Sequence, residues 1–257
     1  LKFPVSLPIG TCSVPLHLIF EVIAFFIAFR YYLFLRKTKG DIISAENRSW
    51  IVIAATFGAL AGSRLIGGLE HPELLKGTAA AIFFHFYQNK TVLGGFLGGL
   101  LGVELIKKIM GETKASGDLF VYPMIAGLII GRLGCFCNGV FEDTYGIPTS
   151  LFTGLDLGDG ILRHPVTLYE ILFLVLLWVL LIRLKKLHLF DNGALFKLFL
   201  FSYCLFRFLC DFIKPHYIVI FGLSTIQLTS ISGMFWYYRY LIHPGKLLIK
   251  ANHYHAS

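Results

Sequence analysis

Charge is scarce in this sequence. Only 15% of its residues are Asp, Glu, Lys or Arg, while 56% are hydrophobic. A water-soluble domain of 257 residues needs more polar surface than this to cover its core, so lipid is taken as the solvent for most of the surface. Cysteine is sparse as well: five is an odd number, and no disulfide framework is expected. Basic patches interleaved with aromatic residues are missing, so the net charge of +8 is not assigned to nucleic-acid binding. Anionic lipid headgroups account for it more cheaply. The opening stretch LKFPVSLPIG has neither a charged n-region nor a small-residue cleavage site. No processed signal peptide is expected there, and the first apolar helix would serve as the insertion signal. No internal repeat and no shift in composition divides the chain.

What the sequence does have is apolar runs of membrane-crossing length. Windows of about 20 predominantly apolar residues lie near 14–35, 50–69, 91–110, 118–137, 165–184, 194–214 and 217–241, the last with a break near Phe221-Gly222. They predict an all-α polytopic membrane protein with seven transmembrane helices, forming one domain over residues 1–257. The run GTAAAIFFHFY at 77–87 is too short to span and reads as a re-entrant or surface-lying segment. Lys and Arg gather at 36–40, at Arg48, around 107–114, at 183–186 and in the tail, whereas the alternate loops mix their few basic residues with Glu and Asp. The positive-inside rule then places the N-terminus outside, the C-terminus in the cytoplasm, and the segments 70–90 and 138–164 on the outer face.

Ionised side chains inside such spans are functional candidates, because lipid penalises them heavily. They are Glu21, Arg64, Glu104, Arg132, Glu170, Arg207 and Asp211. Arg207 and Asp211 stand four apart on one helical face, where they can pair with each other. Arg64 and Arg132 both lie in spans running outward. Two guanidinium groups reaching one cavity would suit a phosphate, whose oxygens match their forked donors. The competing possibility is that each arginine pairs with a carboxylate such as Glu21 or Glu170.

Arg132 sits in GRLGCFCNG, residues 131–139, directly after an apolar run. Gly131, Gly134 and Gly139 let backbone N–H groups approach an anion. The pair Cys135 and Cys137 offers too few ligands for a closed zinc or iron–sulfur site, so no metal and no cofactor are expected. Cys135 beside a guanidinium is a candidate nucleophile, against the commoner fate of small apolar filling. RHPVTLYE, residues 163–170, places Arg163, His164, Tyr169 and Glu170 at the entry of the fifth window. His164 is either a general base or a group that ties down the helix start.

GRLGCFCNG and RHPVTLYE, in this order, resemble the prolipoprotein diacylglyceryl transferase family, whose motifs read approximately GRxGNFxNGE and RHPSQLYE. LHLIFEVIAFFIAF, GALAGSRLIG, GGFLGGLLGV, YCLFRFLCDFIKP and the Gln-containing STIQLTS extend the resemblance over nearly the whole chain. It implies a multi-pass enzyme of the bacterial cytoplasmic (inner) membrane with its site on the outer side. Such an enzyme takes phosphatidylglycerol, or a related anionic phospholipid, as donor and moves the diacylglyceryl group to the thiol of a lipobox cysteine in a preprolipoprotein. Arg132 would grip the donor phosphate, with Arg64, Asn138, Arg163 and Arg207 as further phosphate-binding residues. Glu21, Gly131, Gly134, Gly139, Tyr169, Glu170 and Gln227 would support the cavity.

The chain also departs from the family pattern. Leu97 stands where the family carries a histidine thought to be the base, Cys135 where it has asparagine, Val140 where it has an acidic residue, and Ile19 near a family tyrosine. His164 or His85 would replace the lost base, and Cys135 could act as a transient acceptor. The alternatives are a related phospholipid-dependent transferase with another acceptor, or a non-enzymatic lipid-binding or transport protein.

Overall fold

A computed structural model describes residues 3–9, 12–187 and 190–248. Among them it forms nine α-helices: α1 (Leu16–Lys39), α2 (Ala45–Gly68), α3 (Ala79–Gln88), α4 (Val92–Met110), α5 (Val121–Asn138), α6 (Val166–Leu187), α7 (Ala194–Asp211), α8 (Thr225–Trp236) and α9 (Tyr238–Ile242). Three two-stranded antiparallel hairpins accompany them: β1–β2 (Ser6–Ile9 with Cys12–Pro15), β3–β4 (Leu155–Asp156 with Leu162–Arg163) and β5–β6 (Ile218–Ile220 with Leu223–Ser224).

The expectation of an all-α chain with seven spans is corrected. Four helical stretches among the described residues are long and apolar enough to cross a membrane: Leu16–Lys39, Ala45–Gly68, Asp118–Phe141 and Val166–Leu187. The other three windows fail for separate reasons. Helix α4 has 19 residues but carries Glu104, Lys107 and Lys108. Helix α7 has 18 and carries Lys197, Arg207 and Asp211. In the seventh window, Phe221 and Gly222 both take positive φ, 51° and 74°, and turn the β5–β6 hairpin. What remains is the 12-residue α8, far below the ~20 residues a span needs.

The described residues divide into two compact units. The first (Leu1–Gly40, Gly117–Phe190 and Phe212–Pro215) is built on α1, α5 and α6, with α5 packed against both of the others. The β1–β2 hairpin leads directly into α1, and Val5 donates its N–H to the Cys137 carbonyl at 2.8 Å, holding the entry beside the end of α5. Gly134 lets α5 come close to α1: a Cβ there would sit 2.9 Å from Phe20 Cβ and 3.1 Å from the His17 carbonyl. At the far end of these helices Trp178 stacks on Tyr31 and tilts against Tyr122, and Lys39 lies over the Tyr122 ring. The basic last turns of α1 and α6 therefore share one end of the unit, away from Arg132.

The second unit (Asp41–Ser116, Asp191–Asp211 and His216–Ser257) is built on α2 against α4 and α7 against α8. Gly58 and Gly62 of α2 meet Gly94, Gly98 and Gly102 of α4, each set spaced four apart and so lying on one helical face. The backbones touch. A Cβ on Gly98 would fall 2.2 Å from the Gly58 carbonyl oxygen, and one on Gly62 2.4 Å from that of Gly94. Arg48, one of the charges assigned from sequence to a loop, is buried at the start of α2. Its Nε donates to Asp41 Oδ2 at 2.7 Å and its Nη1 to the Ser116 carbonyl at 2.9 Å, pinning three chain segments.

Gly98→Ala is expected to destabilise the protein by about 1–3 kcal/mol, the usual cost of overpacking a closed contact. Gly95→Ala should be tolerated, because its Cβ would meet nothing closer than 3.7 Å. Thermal unfolding of both variants in detergent decides this, and equal melting temperatures would refute the contact.

Candidate functional site

Helix α5 places Gly131, Arg132, Cys135 and Asn138 within its last two turns, and the three-residue spacing of the polar residues gathers them on one face. The helix stops at Gly139, whose φ of +60° suits glycine, and a Cβ there would lie 2.1 Å from the Leu157 carbonyl oxygen. A single 3₁₀ turn over Gly139–Phe141 then brings the chain back on itself. Glu142 consequently faces α5: Asn138 Nδ2 donates to its Oε2 at 3.1 Å, and Cys135 Sγ donates to its Oε1 at 3.5 Å. A carboxylate thus reaches the asparagine of the motif two residues later than the family pattern, where Val140 stands.

Arg132 is buried and pairs with Glu170 of α6, Nε to Oε2 at 2.8 Å, with side chains 9% and 2% exposed. Its Nη1 also points at Cys135 Sγ, 3.6 Å away. Of the carboxylates expected for this arginine, Glu170 pairs with it. Glu21 lies on α1, with Oε2 3.8 Å from His17 Nε2. His17 Nδ1 is 3.2 Å from Glu142 Oε2. His17 and Glu142 were absent from the sequence-derived candidates. The signal for His17 was present in the four-residue spacing to Glu21; for Glu142 only the turn after Gly139 could reveal it.

RHPVTLYE forms a second cluster in the same unit. His164 Nδ1 lies 3.3 Å from the Tyr169 hydroxyl, which in turn shares a 2.7 Å hydrogen bond with Thr153 Oγ1. Backbone bonds hold His164 in place, its N–H to the Ile147 carbonyl and its own carbonyl accepting from Gly146 and Val166. Gly146 packs so closely that a Cβ on it would be 2.5 Å from His164 Cβ. Arg163 turns away, donating to Asp159 Oδ2 from Nε at 2.8 Å and lying over the Tyr145 ring. The Arg163 hydrogen bond holds the Asp159 carboxyl below its ordinary range. That loop contact therefore persists at neutral pH and is lost only as pH falls through the lowered value.

The remaining candidates belong to the second unit. Arg64 donates from Nη1 to the Tyr87 carbonyl and lies over the Tyr87 ring at 5.2 Å. His85 is buried with both ring nitrogens engaged, Nε2 with the Gly68 carbonyl at 2.9 Å and Nδ1 with Asn89 Nδ2 at 2.8 Å. That arrangement fastens α3 to the end of α2. Arg207 is buried one turn before Asp211, and the Asp211 carboxylate accepts from the Ser224 hydroxyl. Gln227 completes a capping box at the start of α8. Its Oε1 accepts from Ser224 N–H at 2.9 Å and its own N–H donates to Ser224 Oγ at 3.1 Å. The Gln227 Nε2 is buried with no hydrogen-bond partner among the described residues. Leu97 touches the face where Gly233 passes, its Cδ2 3.1 Å from a Cβ built there. Apolar packing occupies that position.

A family model described as Prolipoprotein diacylglyceryl transferase matches residues 4–242. Curated relatives named phosphatidylglycerol–prolipoprotein diacylglyceryl transferase include one from Bordetella parapertussis, 30% identical over 228 residues and covering 82% of each chain. Another, from Campylobacter lari, is 36% identical over 203 residues, covering 71% of this chain and 70% of its own. The relative from Cupriavidus metallidurans is 33% identical over 156 residues, 57% of this chain, and the match spans about half (52%) of that relative's length.

Removing the Glu170 carboxylate would break a buried ion pair, a change that typically costs about 3–5 kcal/mol. Glu170→Gln is therefore expected to lower the unfolding temperature sharply, and the Arg132→Met/Glu170→Leu double variant to recover much of the loss. An unchanged melting temperature in Glu170→Gln would show that the ion pair does not hold α5 to α6.

Proposed function

The chain belongs to the prolipoprotein diacylglyceryl transferase family, and on that footing we propose that it moves the diacylglyceryl group of phosphatidylglycerol to the thiol of a lipobox cysteine in a preprolipoprotein. The observation that carries the proposal is Arg132. Glu170 fixes this guanidinium through Nε, in a helix long and apolar enough to span. Its forked N–H donors match the oxygens of a phospholipid phosphate, the ligand we assign to it.

In the reaction, the acceptor sulfur forms a bond to the terminal glyceryl carbon of the diacylglyceryl group. The bond from that carbon to the phosphate oxygen breaks, and glycerol phosphate leaves. Arg132 stabilises charge developing on the leaving phosphate. The thiol proton goes to a base, and His164 is the residue we assign. Tyr169 orients its Nδ1 side, and its backbone is fastened on both sides. His85 is set aside, because both of its nitrogens already serve the fold. Asn138 and Glu142 support the motif.

The membrane in question is the bacterial cytoplasmic membrane, with the Arg132 end of the first unit on the outer side. Support comes from the charge distribution along that unit, since Lys37, Lys39, Lys185 and Lys186 gather at the opposite helix ends.

Mass spectrometry of the purified chain incubated with phosphatidylglycerol and a lipobox peptide tests the proposal. A peptide mass gain equal to one diacylglyceryl group is expected. It should vanish in Arg132→Ala and fall roughly 10²-fold or more in His164→Ala, the scale of a lost general base. Glycerol phosphate release with no peptide gain would point to another acceptor. Lipid binding with no turnover would make the chain a binding protein, and either outcome overturns the assignment.

A further inference from the structure

His17, Cys135 and Glu142 converge at the end of α5 from three separate segments: the first turn of α1, the last turn of α5, and the stretch of chain that follows the 3₁₀ turn. Their ligand atoms (an imidazole nitrogen, a sulfur and a carboxylate oxygen) all lie within 4.8 Å of one another. In a tetrahedral zinc site, bond lengths of 2.0–2.3 Å put neighbouring ligand atoms about 3.4–3.6 Å apart. The Glu142 carboxylate is about that far from both other ligands: Cys135 Sγ lies 3.5 Å from its Oε1, and His17 Nδ1 lies 3.2 Å from its Oε2.

We propose that this tripod binds one borderline-soft divalent cation, with Zn²⁺ as the fitting ion. The donor set is one thiolate, one imidazole and one carboxylate, which suits zinc and not the oxygen-seeking Mg²⁺ or Ca²⁺. Three protein ligands leave a fourth tetrahedral position open, the pattern of reactive zinc sites as opposed to closed structural ones.

The surroundings match what metal ligands require. His17 Nδ1 is cut off from solvent and has no hydrogen-bond partner among the described residues, although it faces the Glu142 carboxylate. Nitrogen lone pairs in that state are costly unless something else takes them. On the other side of the same ring, Nε2 points toward the Glu21 carboxylate at 3.8 Å. A carboxylate behind a histidine ligand fixes its tautomer and orientation. Asn138 Nδ2 steadies Glu142 Oε2 in the same way. Arg132 is the apparent objection, being a cation 3.6 Å from the sulfur. Its own charge is met by Glu170, and its N–H is placed to hydrogen-bond a metal-bound thiolate. Cys135, Glu142 and Glu21 together supply more negative charge than the ion carries once the thiol is deprotonated.

Metal binding at this tripod does not depend on the transferase reading. It arises from Cys135, the cysteine standing where the family motif has asparagine. His17 is far from it in sequence and Glu142 reaches it only through the turn after Gly139, and for that reason the C-x-C pair alone gave no metal site.

The test uses the full chain in detergent, stripped with a chelator, with His253 and His255 replaced by Ala so that the tail does not contribute ligands. Titration with Zn²⁺ alone should give one bound ion per chain by calorimetry and by elemental analysis after desalting. Co²⁺ in its place should show sulfur-to-cobalt charge-transfer absorption. Cys135→Ser should abolish that absorption, His17→Gln and Glu142→Gln should weaken binding at least tenfold, and Glu21→Gln should weaken it roughly 10–100-fold as an orienting partner. Should a variant fold poorly, alkylation of the parent chain replaces it: Zn²⁺ is expected to protect Cys135 from a thiol reagent, read by peptide mass spectrometry, and Mg²⁺ is not. Zn²⁺ uptake unaffected by Cys135→Ser, cobalt bound without charge-transfer absorption, no uptake, or Cys135 alkylated equally with and without Zn²⁺ would each overturn the site.

Discussion

Arg132 and Glu170 meet where neither charge could exist alone. A lone guanidinium or carboxylate in a helix passing through lipid carries a large desolvation cost, and the 2.8 Å contact between them offsets it only at one relative placement of α5 and α6. Once that placement is set, much else in the first unit follows. The helical spacing carries Cys135 and Asn138 onto the face that Arg132 occupies, and Gly134, on the side toward α1, lets His17 close in. Gly139 then ends the helix with a left-handed residue, and the turn after it returns Glu142 to the cysteine and the asparagine. The two sequence motifs are therefore parts of one electrostatic arrangement, joined by an ion pair between their most conspicuous charges.

The second unit rests on a different constraint, the absence of side chains. Backbone contact between α2 and α4 at their glycines lets the two helices pack closely, with many small dispersion contacts in place of larger side chains. Polar groups here serve mainly to finish helix ends. His85 bonds the final carbonyls of α2, Thr225 donates to the Leu69 carbonyl just beyond it, and Ser224 with Gln227 closes the start of α8. Side chains that looked like chemistry in isolation turn out to satisfy backbone groups that no water would reach.

Several local features could be read without coordinates because they depend on neighbours in sequence. The arginine and glycines of GRLGCFCNG, the polar cluster of RHPVTLYE and the small-residue faces of α2 and α4 all follow from short-range spacing. Overreading came from the same source. Hydropathy windows sum apolar character but do not register that Glu104, Lys107 and Lys108 crowd one end of α4, or that Phe221 and Gly222 adopt positive φ and divide the seventh window. Arg48 was counted as a loop charge because nothing local shows Asp41 and the Ser116 carbonyl folding around it.

Family membership and the lipid setting were determined by the sequence alone, since each is carried by composition or by contiguous motifs. Which carboxylate neutralises Arg132 was not, because Glu21 and Glu170 were equally plausible on periodicity. The tertiary structure set Glu170 against Arg132 and brought Glu21 within 3.8 Å of His17. It also made a possible ligand set from His17, Cys135 and Glu142, and turned His85 and Gln227 toward the backbone. The reason is the same each time: a buried polar group takes the partner nearest in space, and that distance is set by how helices and turns pack, over separations along the chain that no local pattern spans.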